Sequence, residues 1–306
     1  MVVKASPHTS YSIYEIIKEK AKELGFVGIG FLRPKRPIFF ERFLDWLEKG
    51  KNAEMEWMKR YVDIREDPRK ILNGCKTIIS LAYPYSPNIP SSPDGIIAAR
   101  YTEPLKEDYH IRLKRLCRRL SEETILKVFP DAKIRICVDS APVLERSIAY
   151  MAGVGFIGKN NMLIVPGYGS YVFLSEIFTT SDFSFPEPKI MEDHCNNCER
   201  CIDSCPTGAL KKPYCFDARR CLSYISIEYK GEIKEEFAKR MFPFFFGCDR
   251  CQQVCPFNER GERFVCLPSV NEFLNMEKDE FEKRFGRTAL RRVGLERIKR
   301  NLRAIM

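Results

Sequence analysis

Hydrophobic positions change period along this chain, and the changes predict its elements. Ile13, Ile16, Ile17, Ala21 and Leu24 recur at helical spacing until Gly25 stops the run. Phe26 to Phe31 then reads as a short strand, and Phe40–Glu48 and Ala53–Tyr61 return to the helical period. Thr77 to Ala82 is a β-branched, apolar strand that empties into a Pro- and Ser-rich loop from Tyr83 to Asp94. Ile96–Tyr101 predicts a further strand and Glu107–Glu122 a basic helix. Lys133 to Val138 is a buried strand that delivers Asp139. Ser140 is placed to cap the next helix, with Pro142 near its first turn and Gly153 as its stop. Met162–Val165 and Tyr171–Phe178 are strands again.

This mixture is α/β over residues 1–185. Pro186 to Asp193 reads as a linker, with two prolines and no periodicity. Residues 186–266 then form a cysteine-rich module, and residues 267–306 a basic helical tail.

The cysteines carry the strongest chemical signal. Cys195, Cys198, Cys201 and Cys205-Pro206 have the C-x2-C-x2-C-x3-C-P spacing of bacterial-type ferredoxins, in which the fourth cysteine serves the other of two clusters. Cys221, Cys248, Cys251 and Cys255-Pro256 make a partner set. Crossing the ligands gives two complete 4Fe–4S sites: Cys195, Cys198, Cys201 with Cys255, and Cys205 with Cys221, Cys248, Cys251. Each proline removes an N–H and turns the chain away after its last ligand. Paired C-x2-C knuckles also hold zinc, but zinc needs neither the third cysteine nor the repeated x3-C-P ending. Cys75, Cys117, Cys137, Cys215 and Cys266 remain as free thiols, Cys215 being near enough to Cys221 to substitute for it.

Composition narrows the setting. The chain has 306 residues, 44% of them hydrophobic, enough for a large domain and a smaller one. No apolar run approaches the ~20 residues of a membrane span. Met1 to Ser10 shows neither a signal-peptide core nor a twin-arginine pair, so a cytoplasmic protein is expected, whose cysteines bind metal rather than pair as disulfides. The net charge is +10. Much of it lies at the end (Arg284, Arg287, Arg291, Arg292, Arg297, Lys299, Arg300, Arg303) and in the run Arg112, Lys114, Arg115, Arg118, Arg119. Helical charge runs are commonly solvated faces; here the asymmetry points to a polyanion such as RNA.

A second constellation centres on Asp139, in Val138-Asp139-Ser140-Ala141-Pro142-Val143-Leu144-Glu145-Arg146, which runs on to Gly153-Val154-Gly155-Phe156-Ile157-Gly158-Lys159-Asn160. A strand-end acid suits catalysis, and equally an N-cap or an ion pair. The glycines offer close backbone approach to a large ligand, with Lys159 and Asn160 as donors in the same loop. No Walker loop or strand-borne G-x-G-x-x-G is present.

Taken together, these blocks resemble the epoxyqueuosine reductase family over nearly the full length. The likeness also covers Arg65-Glu66-Asp67-Pro68-Arg69, Asp108-Tyr109-His110, Gly169-Ser170, Asp217 to Tyr224 and Gly247 to Gln252. Asn196 departs from a usual glycine, Phe156 from a tryptophan and Phe257 from the tryptophan of C-P-W-N. The chain stops at Met306, where longer members continue into helical repeats.

The resemblance implies an α+β sandwich that binds cobalamin (vitamin B12), packed on the double 4Fe–4S module. It implies a tRNA substrate, whose wobble epoxyqueuosine is reduced to queuosine, and an external low-potential electron donor. It makes Asp139 the acid that protonates the departing oxygen, with a pKa raised by burial, and His110 the alternative acid. Arg65, Tyr101, Asp139, Lys159, Asn160, Ser170, Ser223 and Asp249 become the corrin contacts. A monomer with no membrane attachment is expected. A corrinoid reductive dehalogenase is the rival within the same cofactor set, but its twin-arginine leader is missing here; a plain electron-transfer ferredoxin would leave the Asp139 block without a task.

Overall fold

Residues 12–306 are described by a computed structural model; Met1 to Ser10 lie outside them. The centre is a four-stranded, wholly antiparallel sheet in the order Gly28–Leu32, Thr77–Pro84, Val172–Thr179, Ile134–Cys137. Helices cover both faces. Ile17 and Ala21 of Ile13–Glu23, with Leu113, Cys117 and Leu120 of Tyr109–Glu123, pack on Ile79, Leu81 and Ile177. On the other face Ile148 and Ala149 of Glu145–Met151 meet Ile78, Ala82 and Phe178. Two covered faces explain why Thr77 to Ala82 is apolar without alternation.

A second four-stranded sheet runs Phe244–Phe246, Ile97–Ala98, Ile89–Ser91, Arg263–Val265. Two of its strands come from before the linker and two from after it, so the cysteine-rich part is laced into the α/β part. The C-terminal segment is helical, and it is packed rather than trailing. Ile298 and Leu302 of Leu295–Ile305 are fully buried against Ala98, Phe245 and Phe246. Pro186 to Asp193 has no regular structure.

Several local expectations change. Ala53 and Tyr61 take left-handed backbone (φ 52° and 55°), and Asn52 donates to the carbonyls of Ala53 and Met55. The helix expected over Ala53–Tyr61 therefore shrinks to one 3-10 turn at Glu56–Met58, and a separate helix opens at Val62–Glu66. The Tyr83–Asp94 loop contains the strand Ile89–Ser91, whose parallel partner Arg263–Val265 is remote in sequence. Ile96–Tyr101 is strand only at Ile97–Ala98, then bends into a 3-10 turn at Arg100–Thr102. Ser140 caps no helix. The next helix opens at Glu145, with Leu144 as N-cap, and Asp139 to Leu144 is a loop.

Candidate active site and cluster-binding loops

Asp139 ends the strand Ile134–Cys137 by way of Val138, with φ +55°. Its backbone N–H donates to Glu145 Oε1 at 2.5 Å. Three side chains reach the same carboxylate oxygen, Oδ2: Tyr109 Oη at 2.7 Å, His110 Nε2 at 3.1 Å and Arg292 at 3.3 Å. Among the described residues none donates to Oδ1. Arg292 also donates to Tyr109 Oη at 3.1 Å, and His110 Nδ1 lies 2.7 Å from Asp108 Oδ1. Asp108 fixes the entry to this cluster, because its side chain caps Tyr109–Glu123 through the His110 N–H. The Asp139 side chain is still 48% exposed, so the group that other residues orient remains open to a substrate.

The proton inventory differs from the sequence expectation. Desolvation pushes the Asp139 pKa up, as supposed. Hydrogen bonds from His110 and Tyr109, with the charges of His110 and Arg292, outweigh it and hold the carboxyl below its ordinary range. His110 moves the opposite way: desolvation lowers its pKa, but Asp108 and Asp139 together raise it above 6.5. Within the pair, the proton is held more firmly by His110 than by Asp139. Tyr109 is pushed up by desolvation and by Asp139, so it stays a donor.

The remaining expected contacts fall in two groups. Tyr101, Ser223 and Asp139 keep accessible surface. The Tyr101 ring lies 6.3 Å from those of Tyr109 and Phe246, and its hydroxyl, raised chiefly by desolvation, feels Arg292, Asp139 and Asp249. Arg65, Lys159, Asn160, Ser170 and Asp249 are buried and engaged by protein. Arg65 donates to the carbonyls of Arg60 and Tyr61. Lys159 Nζ donates to the Asn196 carbonyl at 2.5 Å, and Asn160 Nδ2 to the Cys251 carbonyl at 3.4 Å. Ser170 joins Asn258 and Gln252, while Asp249 accepts from the Arg100 backbone N–H at 2.7 Å and its guanidinium at 3.3 Å. The glycines also serve the protein itself. A Cβ on Gly155 would sit 2.2 Å from the Ile164 carbonyl oxygen, and one on Gly153 2.8 Å from that of Lys189.

Charge contacts link cysteines of the two ladders. Cys201 feels the charges of Cys255 and Cys198, and Cys195 that of Cys255. Cys251 feels Cys248 and Cys221 and, less, Cys201 of the other set, and Cys221 feels Cys205. Burial first, and these neighbours second, push the Cys251 thiol up. Helices Arg200–Asp203 and Arg250–Gln253 pack together, with Ser204 Oγ donating to the Arg250 carbonyl at 3.4 Å. Asn196 takes φ +46°, the conformation a glycine would supply. Phe156 and Phe257 pack edge to face, centroids 5.2 Å apart, so these two departures compensate each other. Cys215 instead accepts from Lys51 Nζ at 3.7 Å. Among the described residues no three His, Cys, Asp or Glu side chains converge on one point as a single metal ion requires.

Much of the basic sequence is structural. Arg297 donates to the carbonyls of Val293 and Ile227, Lys299 to that of Met276, and Arg300 to those of Tyr229, Gly231 and Ile225. Arg112 is paired with Glu103, and Arg115 with Glu107. Lys114 and Arg118 are exposed on the same helix.

Comparison with known proteins fits this site. Residues 194–258 match the 4Fe-4S double cluster binding domain, and residues 65–140 match the family model "Epoxyqueuosine reductase QueG, DUF1730". The epoxyqueuosine reductase of Cyclobacterium marinum is 35% identical over 94% of this chain and 95% of its own length. The chain belongs to the epoxyqueuosine reductase family. The epoxyqueuosine reductase structure from Streptococcus thermophilus superposes with a TM-score of 0.86 at 30% identity, covering 96% of this chain and 80% of that one. An epoxyqueuosine reductase solved with an epoxyqueuosine-modified tRNA-Tyr stem loop gives 0.82 at 29%, covering 96% and 81%. Among the described residues, no helix is long and apolar enough to cross a membrane.

Sequence reasoning found Asp139, His110 and the cysteines but missed Tyr109, Arg292, Glu145 and Glu176 as parts of the acid cluster. Tyr109 and Glu145 stood inside quoted blocks without a role. Arg292 looked like one charge in a basic run. Glu176 carried a usable signal: one acid in the otherwise uncharged strand Val172–Thr179.

Proposed function

We propose that this protein reduces epoxyqueuosine to queuosine at the wobble position of tRNA anticodons, with Asp139 as the proton-delivering group. The observation that carries the reading is the half-open Asp139 carboxylate, fed by His110 and Tyr109, within a chain of this family. Removing the epoxide oxygen consumes two electrons and two protons.

Residues 194–258 match a 4Fe-4S double cluster binding domain, so the crossed thiol sets would hold two cuboidal clusters. The family is cobalamin-dependent. Tyr101 would contact that group: its hydroxyl lies within electrostatic reach of both Asp139 and Asp249. Tyr101, Asp139 and Ser223 would border it, while Arg65, Lys159, Asn160, Ser170 and Asp249 hold the walls and the cluster loops. Bound cobalamin supplies reductive attack on the epoxide carbon, with electrons arriving one at a time through the clusters.

The chain's own task is the proton. As negative charge grows on the departing oxygen, Asp139 Oδ2 takes the proton of His110 and passes it on, leaving a neutral imidazole. Asp108 stabilises the imidazolium before transfer, and Arg292 steadies Asp139. The two groups titrate as a pair, so the acid is the Asp139–His110 unit.

The tRNA would reach the site with its wobble base unstacked. The exposed Lys114 and Arg118 are the best phosphate contacts that the basic helix offers. Anaerobically reconstituted protein, given cobalamin, a low-potential reductant and an epoxyqueuosine stem loop, should yield queuosine. Intact substrate under conditions where the corrin is bound and reduced would reject the reading.

A further inference from the structure

Behind Asp139 lies a buried acid that the reaction does not use. Glu176, on the central strand Val172–Thr179, is fully buried, opposite Cys137 of the strand that leads to Asp139. Its Oε1 accepts from Ser80 Oγ at 3.4 Å, and its Oε2 is buried without any partner. Glu145, at the first turn of Glu145–Met151, reaches the Glu176 carboxyl on one side and accepts the Asp139 N–H on the other.

Two carboxylates cannot meet without a donor between them. The fully buried Glu176 has no water to screen it from the half-buried Glu145, so one proton is bound, and the orphan oxygen of Glu176 is where it belongs. From this geometry we infer that Glu145 and Glu176 share a proton, and that the shared proton holds Glu145 on the Asp139 amide, locking the left-handed backbone that aims the catalytic carboxylate. Glu145 and Glu176 are positioning residues. Their importance for turnover rests on the function proposed above, whereas the lock itself does not.

The surroundings support a singly protonated pair. Burial pushes Glu145 up to about 8, and Asp139 adds to the rise. Arg146 and His110 act against it. Around Glu176 stand Ser80, Cys137 and Cys117, with Arg135 beside Cys137. The unfavourable φ of +55° at Asp139 gives the lock a purpose, because a non-glycine residue needs external contacts to stay there.

Amide hydrogen exchange at Asp139 in the reconstituted protein, followed against pH, tests this without turnover. The wild-type amide should be protected at neutral pH and lose about tenfold in protection per unit above about pH 8. Glu176→Gln supplies a permanent donor to Glu145 and should abolish that alkaline loss. Glu145→Ala should remove about tenfold of protection at neutral pH, the loss of one hydrogen bond, and Glu145→Gln, which keeps the acceptor, should restore it. Infrared spectra should show a protonated-carboxyl band that disappears in Glu176→Gln. An Asp139 amide unprotected at pH 7, an alkaline loss unchanged in Glu176→Gln, or no such band would overturn the inference, and none of these outcomes would touch the reductase reading.

Discussion

Replacing Arg100 with Met tests how the cluster loop is anchored to the α/β core. Arg100 and Asp249 side chains are 4% and 5% exposed, and Asp249 stands between the proposed ligands Cys248 and Cys251. Arg100→Met would leave a buried carboxylate without its counter-charge, at a cost of about 3–5 kcal/mol for breaking such a pair from one side. The lower end applies to the pair itself, because the backbone N–H of residue 100 still reaches Asp249 at 2.7 Å. The Pro87 carbonyl would also lose the Arg100 Nε–H at 2.5 Å, about 1 kcal/mol, and Tyr171 would lose the guanidinium 5.0 Å over its ring, a further ~0.5–1 kcal/mol. The expected total is about 4–5 kcal/mol. Anaerobic urea unfolding, followed by cluster absorbance and by circular dichroism, would measure it. Adding Asp249→Asn removes the stranded charge and should recover about 2 kcal/mol or more. A single variant costing under about 1 kcal/mol, or a double variant with no recovery, would refute the reasoning.

Three further outcomes follow from the acid cluster and the charged surface. Asp139→Asn keeps shape but passes no acidic proton, so single-turnover rates should fall by about 10²–10⁴-fold while corrin and stem-loop binding persist. His110 has a folded pKa raised above 6.5, so its proton is present at low pH and lost as pH rises through that value; turnover should fall on that alkaline side, and His110→Gln should be slow at all pH values. Neutralising Lys114 or Arg118 should flatten the salt dependence of stem-loop affinity by about one unit or less each, whereas Arg300→Ala should destabilise the fold, since its guanidinium holds three main-chain carbonyls.

How much could be read in advance followed from distance along the chain. The cysteine sets were legible because their spacings are short and carry ligand geometry directly. Asp139 stood out because a strand leads to it, although Ile134–Cys137 is an edge strand buried only at Cys137, not the buried strand expected. Its pKa was not, since the donors that reverse the burial effect come from Tyr109 and His110 on one helix and from Arg292 near the C-terminus. Pairing of Ile89–Ser91 with Arg263–Val265, and of Arg100 with Asp249, is equally non-local. The glycines of the Gly153 to Gly158 loop were visible, but whether they admit a ligand or a neighbouring carbonyl depends on the packed fold. Arg297, Lys299 and Arg300 show the same limit: a charge in sequence does not say whether it faces solvent or a main-chain oxygen.

The most direct test of the proposed function is mass analysis of tRNA nucleosides from cells lacking this protein. Epoxyqueuosine should accumulate in place of queuosine, and the wild-type gene, but not the Asp139→Asn variant, should restore queuosine. Normal queuosine with no accumulated epoxide, in cells that hold no second such reductase, would contradict the account.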